Sequence, residues 1–285
     1  MSPMRAQIEL ARSYNYCARI ARAQARNFYY SFLVLPREKR RAFCAIYAFL
    51  RHSDDISDDM SQQGDSAARR CLLQAWRRRL EAALQGDYSG SPLLPAFHDT
   101  VRRFSIPPAY FFELIQGAEM DLEPVRYRTF QDLYLYCYRV AGVVGLICLH
   151  LFGFPAAHRE EACRRAEACG IAFQLTNILR DLREDADRGR VYLPEEDLER
   201  FGYTTAELSA GTSGDAFYRL VSFEAERARG YYREALPLLR LITPDCQPAL
   251  WAMIALYGGI LRRMEELRFP MLQRRVELSD MEKFQ

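Results

Sequence analysis

The sequence predicts an all-α protein built as one domain, and three observations support that prediction. Apolar residues recur at three- and four-residue spacing along nearly all of the 285-residue chain, which is the period of an amphipathic helix. Alternating apolar runs bounded by Asn-Gly or Asp-Gly turns, the usual sign of β-hairpins, do not occur. No repeat, low-complexity tract or Pro/Gly/Ser-rich linker divides the chain, so we expect a single domain over residues 1–285.

Proline and glycine residues mark where the helices are expected to end. The breaks fall near Pro36, Gly90–Pro95, Pro107-Pro108, Pro124, Pro155, Gly189–Pro194, Gly202, Gly211–Gly214 and Pro244. The segments between them predict roughly eight to ten helices packed as a bundle. The longest apolar run, Val140–Phe154, is interrupted by glycine and histidine and is shorter than the roughly 20 residues that span a bilayer, so a buried helix is expected there.

The composition narrows the possible classes of function. Apolar residues make up 49% of the chain and charged residues 27%, as in a well-packed globular protein. A net charge of +2 argues against a nucleic-acid partner, which a basic protein field would attract. Only Lys39 and Lys283 are lysines, and all other basic residues are arginines. Guanidinium groups bind phosphate oxygens in bidentate fashion, although genomic base composition explains the bias equally well.

The remaining composition indicates a soluble, cytoplasmic protein with reduced thiols. Its eight cysteines contain no C-x-x-C pair and its four histidines have no ligand spacing, so neither disulfides nor zinc are expected. The first twelve residues lack the apolar stretch of a signal peptide. Arginines at heptad spacing along the first helix suit either an anionic membrane surface or a solvated helix face: Arg5, Arg12, Arg19 and Arg26.

The first acidic segment, residues 51–59, contains two aspartates that share a helix face, Asp54 and Asp58. Like charges at that spacing destabilise a bare helix, and a magnesium ion bound by both carboxylates would remove the repulsion. Tyr47 and Arg51 lie on the same face in the preceding turns. Asp55 and Asp59 form a second, offset pair. Alone, this pattern also fits a solvated acidic helix end.

The second acidic segment, residues 174–190, is more specific. Its polar residues form one stripe at helical steps of three, four and four: Gln174, Asn177, Asp181 and Asp185. The intervening Leu175, Ile178, Leu179 and Leu182 are apolar, which predicts a largely buried helix. Buried carboxylates need partners, and a diphosphate bridged by magnesium would supply them. Arg188-Gly189-Arg190 then adds guanidinium groups and a flexible backbone beside that anion.

These segments resemble the motifs of the squalene/phytoene synthase family, the head-to-head isoprenoid synthases. The first segment is similar to the family's D-x-x-x-D motif, and the second to its Q-x-x-N-x-x-x-D-x-x-x-D motif. Residues 136–145 resemble the Y-C-x-x-V-A-G-x-V-G segment, and residues 188–194 resemble the loop after the second motif. The likeness runs from about Phe28 to Val276, nearly the whole chain, and one departure is Asn27, where the family often has serine.

The resemblance implies an isoprenoid synthase bundle with a central apolar cavity and Mg2+ as cofactor. The implied metal ligands are Asp54, Asp58, Asn177, Asp181 and Asp185. The implied diphosphate contacts are Arg51, Gln174, Asn177, Arg180, Arg190, Tyr257 and Arg275. Tyr47 and Tyr136 match aromatic positions near the reacting carbons. The cavity wall would include Phe28, Phe32, Val140, Gly142 and Gly145, with both glycines letting a prenyl chain approach the helix backbone.

The chain length of the substrate stays open at this stage. The likeness to bacterial C30 enzymes favours joining two farnesyl diphosphates to presqualene diphosphate, with NADPH required if the reaction continues to squalene. The alternative is a phytoene synthase that joins two geranylgeranyl diphosphates. Phe32 is bulky and Cys44 is small, so the two predicted wall positions favour different substrate lengths.

A non-catalytic assembly protein of the same fold would be expected to lack the acidic residues, which are intact here. The expected partners are prenyl diphosphates. A hydrocarbon product is compatible with peripheral contact with the inner face of the membrane. The sequence leaves the oligomeric state open.

Overall fold

A computed structural model describes residues 3–25, 27–57, 66–122 and 126–278. Over these residues the chain forms fifteen α-helices and no β-strand. The helices are α1 (Pro3–Gln24), α2 (Asn27–Leu33), α3 (Arg37–Ser57), α4 (Ser66–Leu84), α5 (Leu94–Arg103), α6 (Ala109–Met120), α7 (Phe130–Cys137), α8 (Val143–Phe152), α9 (Arg159–Arg180), α10 (Leu182–Asp187), α11 (Glu195–Phe201), α12 (Thr205–Ala210), α13 (Asp215–Ala235), α14 (Leu238–Leu241) and α15 (Gln247–Glu266). A π-helical turn, Tyr138–Gly142, joins α7 to α8.

The all-α prediction is confirmed, and most predicted breaks separate observed helices. Pro36, Pro155 and Gly202 each lie between two helices, whereas Pro124 is outside the described residues. The helices are more numerous than predicted because some breaks occur without any Pro or Gly signal. The clearest is at Asp181, which separates α9 from α10 while the sequence keeps its helical period.

The contacts group the chain into two compact units that interleave along the sequence. The first comprises Met1–Leu122, Leu146–Arg159 and Arg240–Leu250, and the second comprises Glu123–Gly145, Glu160–Leu239 and Trp251–Gln285. Each unit has its own apolar core and carries one of the two acidic segments.

Aromatic rings hold α3 in the core of the first unit. The ring of Phe49 stacks on Phe97 with centroids 4.2 Å apart and meets Phe111 edge-on at 5.3 Å. One turn later, Ser53 is fully buried, donates to the Phe49 carbonyl and accepts a hydrogen bond of 2.9 Å from Trp76 Nε1. These contacts fix the rotation of α3, so Asp54 and Asp55 face away from the core.

Close backbone packing holds α9 in the core of the second unit. A Cβ atom added to Gly145 would lie 2.2 Å from the Ala166 carbonyl oxygen, and one added to Gly170 would lie 2.1 Å from that of Ala141. The prediction that Gly145 lets a prenyl chain approach is therefore wrong on the side that a Cβ atom would occupy, because the backbone of α9 fills that space. The missing side chains allow two helices to approach closely.

The stretch Phe130–Phe152 is long and apolar enough to cross a membrane by length and composition, but half of its most apolar window is buried inside the protein. Val143, Ile147 and Leu149 are fully buried. A core helical segment passes the same test, so the predicted buried helix accounts for this stretch.

Candidate active site

The first acidic segment lies at the end of the described part of α3, and its aspartates face solvent. Asp54 and Asp55 are both exposed. Arg51 forms an ion pair with Asp55 at 2.6 Å, and the two side chains are 43% and 46% exposed. The offset carboxylate is therefore neutralised by a neighbour one turn away. Asp58, the second predicted ligand, lies outside the described residues.

Two aromatic residues of the first unit lie near this helix face. Tyr47 is half-buried, and its ring meets the buried ring of Phe32 edge-on with centroids 6.3 Å apart. Phe32 also packs on Phe43 at 5.4 Å. The structure thus brings together two residues that the resemblance placed beside the substrate. The side chain of Phe28 is outside the described part of the chain.

The backbone departs from helical geometry at Asp181. This residue has φ −101° and ψ 12°, in the sparsely populated bridge region between the helical and extended wells. Its amide still donates to the Asn177 carbonyl at 2.9 Å, and the Asp185 amide donates to the Asp181 carbonyl at 2.9 Å. The turn is therefore locally distorted without being lost, as is common where a fold places a functional side chain.

Two arginines hold the Asp181 carboxylate. Arg180 Nε and a terminal nitrogen donate to its two oxygens at 2.9 and 2.5 Å, and Arg275 Nε lies 3.2 Å from Oδ1. Arg275 also reaches Glu184 at 3.2 Å. The side chains of Arg180 and Asp181 are only 16% and 18% exposed, so this ion pair is poorly screened by water. Arg275, about 90 residues further along the sequence, thus contacts the acidic stripe through Asp181. Its implied role as a diphosphate contact stays a prediction.

Asp185 sits in surroundings that disfavour its charge. Burial, together with the nearby negative charge of Asp181, raises the pKa of Asp185 to about 7, although Arg190 and Arg188 oppose the shift. The Arg190 amide also donates to the Asp185 carbonyl at 2.9 Å. A cation placed between the two carboxylates would remove both the repulsion and the burial penalty.

The rest of the polar stripe carries an unsatisfied acceptor. Asn177 Nδ2 donates weakly to Gln174 Oε1 at 3.4 Å, whereas Asn177 Oδ1 is buried and has no hydrogen-bond partner. Tyr257 is buried next to this stripe, where Arg180 and Asn177 lower its pKa, but the larger effect of burial leaves that pKa raised. Its ring stacks on Phe173 with centroids 4.5 Å apart. Tyr257 therefore lies beside the polar stripe, and its implied contact with a diphosphate stays a prediction.

Three tyrosines form an aromatic cluster in the second unit, which we call the tyrosine cluster: Tyr127, Tyr136 and Tyr192. The rings of Tyr136 and Tyr192 stack with centroids 5.1 Å apart, and Tyr127 lies 5.6 Å from Tyr136 and 6.2 Å from Tyr192. Sequence reasoning proposed only Tyr136. The position of Tyr192 in the loop after the second motif was a usable signal, whereas nothing in the spacing of Tyr127 connects it to the others.

The predicted wall residues Val140 and Gly142 lie in the π-helical turn Tyr138–Gly142. Val140 is half-buried, and a Cβ atom added to Gly142 would lie 3.2 Å from the ring of Tyr138. Such a turn carries one extra residue and redirects the side chains that follow, and it occurs often at functional sites. For Val140–Phe154 the sequence predicted a buried helix without a π-helical turn.

The second acidic segment suits a magnesium ion. Among the described residues, no three His, Cys, Asp or Glu side chains are already grouped as a metal site. The donor set is nevertheless made of hard oxygens: the carboxylates of Asp181 and Asp185 and the buried, unpartnered Oδ1 of Asn177. Magnesium prefers such oxygen ligands, and it usually completes its shell with water and substrate phosphate. The three residues would hold the ion from one stripe.

The fold and these groups define a prenyl transferase with the all-α isoprenoid synthase fold. The structure matches a crystal structure of a dehydrosqualene synthase with a TM-score of 0.87 and 31% identity, covering 98% of this chain and 95% of that one. It matches squalene synthase HpnC from Alicyclobacillus acidocaldarius with a TM-score of 0.83 and 30% identity, covering 92% and 96% of the two chains.

The chain belongs to the squalene/phytoene synthase family, whose sequence profile matches residues 21–282. A 15-cis-phytoene synthase of Synechococcus elongatus is 37% identical over 96% of this chain and 90% of its own length. A phytoene synthase of Mycobacterium tuberculosis is 38% identical over 97% of this chain and 90% of its own length. The predicted family and the predicted class of enzyme are confirmed.

Proposed function

We propose that this protein is a phytoene synthase, which joins two molecules of geranylgeranyl diphosphate head to head. The observation that carries the proposal is the likeness to phytoene synthases from cyanobacteria and mycobacteria, at 37–38% identity over more than nine-tenths of the chain. These relatives favour the C20 alternative of the sequence analysis over its main prediction, which was condensation of farnesyl diphosphate.

The second acidic segment would bind a substrate diphosphate. Arg180, Arg190 and Arg275 surround the two aspartates with positive charge and present guanidinium donors to phosphate oxygens. A magnesium ion held by Asp181, Asp185 and Asn177 would stabilise the negative charge of the departing diphosphate. Substrate phosphate would also take over some contacts that Arg180 and Arg275 make with Asp181 in the structure.

Aromatic side chains would protect the allylic cation that forms when the diphosphate leaves. The faces of the tyrosine cluster are electron-rich and can stabilise a nearby cation. Tyr136 is 4% exposed, so the cluster also excludes water that would quench the cation to an alcohol. In this proposal the departed diphosphate, still held by the arginines, accepts the proton that is lost at the end.

The proposed product determines whether the reaction needs a reductant. Loss of a proton from the final cation leaves a central double bond and consumes no hydride, whereas squalene requires hydride addition. NADPH is therefore not required in this proposal. Magnesium remains the expected cofactor.

A C30 activity is the second candidate, and two observations favour it. The matched solved structures at 30–31% identity are a dehydrosqualene synthase and a squalene synthase. In addition, Phe32 is a predicted wall residue with a bulky ring, and that ring is buried against Phe43 and Tyr47. If the Phe32 ring limits the length of the bound prenyl chain, Phe32→Ala is expected to shift the preference of the enzyme from farnesyl diphosphate toward the longer geranylgeranyl diphosphate.

Product analysis tests the proposal directly. Purified protein is incubated with magnesium and either farnesyl or geranylgeranyl diphosphate, each with and without NADPH, and the hydrocarbons are identified by mass spectrometry. Phytoene from geranylgeranyl diphosphate, with no effect of NADPH and a higher kcat/KM than for farnesyl diphosphate, supports the proposal. Preferential formation of presqualene diphosphate, squalene or dehydrosqualene would replace it with the C30 activity. No condensation of either substrate would favour the non-catalytic alternative.

A further inference from the structure

A largely buried arginine outside the predicted site joins three parts of the second unit. Arg227 of α13 is only 16% exposed, and its guanidinium group lies between the rings of Phe130 and Phe223, at 4.1 and 4.7 Å from their centroids. One terminal nitrogen, Nη1, donates to Asp197 at 2.8 Å and, in a bifurcated hydrogen bond, to the two oxygens of Glu224 at 2.6 and 2.7 Å. A planar guanidinium satisfies all of these contacts together, because it stacks on rings while its edge donates hydrogen bonds.

The electrostatic surroundings show why a cation is required there. Asp197 and Glu224 are both nearly fully buried. Burial, helped by the charge of Asp197, raises the pKa of Glu224 to about 7, and Arg227 opposes that shift. Without the arginine, two buried acidic groups would face each other with no positive partner.

The contacts of Arg227 lead to the loop that follows the second acidic segment. Asp197 lies in the first turn of α11, directly after residues 188–194, which include Arg190 and Tyr192. At the same helix start, the Glu195 amide donates to the Tyr127 carbonyl at 2.8 Å. Fixing the start of α11 therefore fixes the backbone of two members of the tyrosine cluster.

The start of α7 is also connected to the start of α11 and to Arg227. The Phe130 amide donates to the carboxylate of Glu196 at 2.7 Å, while the Phe130 ring stacks on Arg227. The third tyrosine, Tyr136, lies on α7. One arginine thus connects, through hydrogen bonds and ring contacts, to the backbone segments that carry all three tyrosines.

We propose that Arg227 is a positioning residue, which holds the tyrosine cluster and the loop of Arg190 in register with the second acidic segment. The proposal rests on the proposed function, since it assigns this geometry a role in prenyl condensation. The described contacts of Arg227 include none with a predicted magnesium ligand and none with a predicted diphosphate-binding residue. It acts by keeping aromatic faces and a cationic loop at fixed distances from the reacting carbons, where small displacements lower the rate of the chemical step.

The test uses a substitution that keeps the charge. Arg227→Lys preserves a cation for Asp197 and Glu224, so the protein is expected to fold, but it loses the planar group between the two rings. We expect kcat to fall about tenfold while KM for the prenyl diphosphate and the magnesium requirement change less than about twofold. The near-ultraviolet circular dichroism of the tyrosines is expected to change at the same time.

A matched control separates positioning from general loss of an ion pair. Arg165 is 26% exposed and bridges α9 to α13 through contacts to Glu161 and Glu234. Within the described part of the chain, these contacts lead to neither the loop nor the tyrosine cluster. Arg165→Lys is expected to leave kcat and the tyrosine signal unchanged. If Arg165→Lys lowers kcat as much as Arg227→Lys does, the effect is one of overall stability and the positioning role is wrong.

A second variant covers the case in which Arg227→Lys folds poorly. Asp197→Asn keeps the shape and one acceptor for Arg227 but removes the charged contact that holds α11, and a kcat reduction of about threefold to tenfold at unchanged KM is expected. Unchanged kcat and an unchanged tyrosine signal in both variants would overturn the proposal. A wild-type protein without condensing activity would refute the proposed function instead, and the tyrosine signal would still test whether Arg227 positions the cluster.

Discussion

The two acidic segments share a four-residue spacing of aspartates but lie in different surroundings. In the first segment, Asp54 and Asp55 are exposed on α3, and the ion pair of Asp55 with Arg51 is open to water. In the second segment, Asp181 is largely hidden and bound by Arg180 and Arg275. Asp185 next to it has a pKa raised to about 7 by burial.

This difference shows that spacing alone does not measure the strength of a metal site. An exposed carboxylate is solvated without a metal, so Asp54 and Asp55 carry little electrostatic cost in its absence. The buried carboxylates and the unpartnered Asn177 Oδ1 of the second segment carry a cost that a bound cation would relieve. We therefore expect the second segment to respond more strongly to substitution and to the removal of magnesium.

Substitution of Asp181 is expected to have the largest effect. Asp181→Asn removes a metal ligand and leaves Arg180 and Arg275 without their shared carboxylate, so turnover should fall roughly 1,000-fold, about 4 kcal/mol of transition-state stabilisation. The measurement is kcat with saturating magnesium and geranylgeranyl diphosphate. The control is Asp187→Asn, whose side chain is 54% exposed and paired with Arg183, and it should stay within about twofold of wild type. Comparable losses in both variants would contradict the special role of Asp181.

Substitutions in the first segment decide which of its two registers binds the metal. Asp54→Asn should lower kcat about 100-fold, since the resemblance makes Asp54 a ligand. Asp55→Asn should lower it by less than about threefold, because Asp55 forms an exposed ion pair with Arg51. Equal losses would mean that the offset pair takes part as well. A greater loss for Asp54→Asn than for Asp181→Asn would reverse the expected ranking of the two segments.

The smallest expected effect is on the free energy of unfolding. Asp185→Asn should raise the stability of the protein although it lowers its activity. The pKa of Asp185 is raised from 3.8 to about 7, so its ionisation destabilises the metal-free fold above about pH 7, and that cost disappears below about pH 4. Asp185→Asn should therefore raise the free energy of unfolding at about pH 8 in a chelator by about 1–2 kcal/mol, while activity is lost.

Urea unfolding at several pH values checks this stability prediction. The gain from Asp185→Asn should shrink as the pH is lowered toward about 5, because the wild-type carboxylate is then protonated in the folded state. Asp55→Asn, in the exposed segment, should show no such gain. A loss of stability in Asp185→Asn at high pH would show that the arginines around Asp185 outweigh its burial.

Much of the helical framework was predictable because its signals are local. Proline and glycine end helices through their own backbone properties, so the breaks at Pro36, Pro155 and Gly202 were found from the sequence. The motifs of the second segment were found for a similar reason, since residues three and four apart on a helix share one face. Both kinds of signal act within a few residues.

Other features depend on residues that are distant in sequence and were missed or misread. Gly145 is predicted to let a prenyl chain approach, but on its Cβ side the backbone of α9 occupies the space. The distorted turn at Asp181 and the π-helical turn Tyr138–Gly142 have no proline or glycine at their starts that would predict them. Tyr127 joins the tyrosine cluster through ring contacts with Tyr136 and Tyr192, and its carbonyl accepts a hydrogen bond from the distant Glu195 amide at the start of α11.

By itself, the sequence determined the all-helical architecture, the family, and the two acidic segments with their helical spacing. These depend on side-chain type and on short-range periodicity, which the chain carries wherever it folds. Only the tertiary structure decided that Asp54 is solvated while Asp181 is enclosed by Arg180 and Arg275. It also decided that the charge of Asp185 is disfavoured. Burial and electrostatic environment are sums over neighbours from distant parts of the chain, so identical carboxylates become chemically different only once the fold has assembled around them.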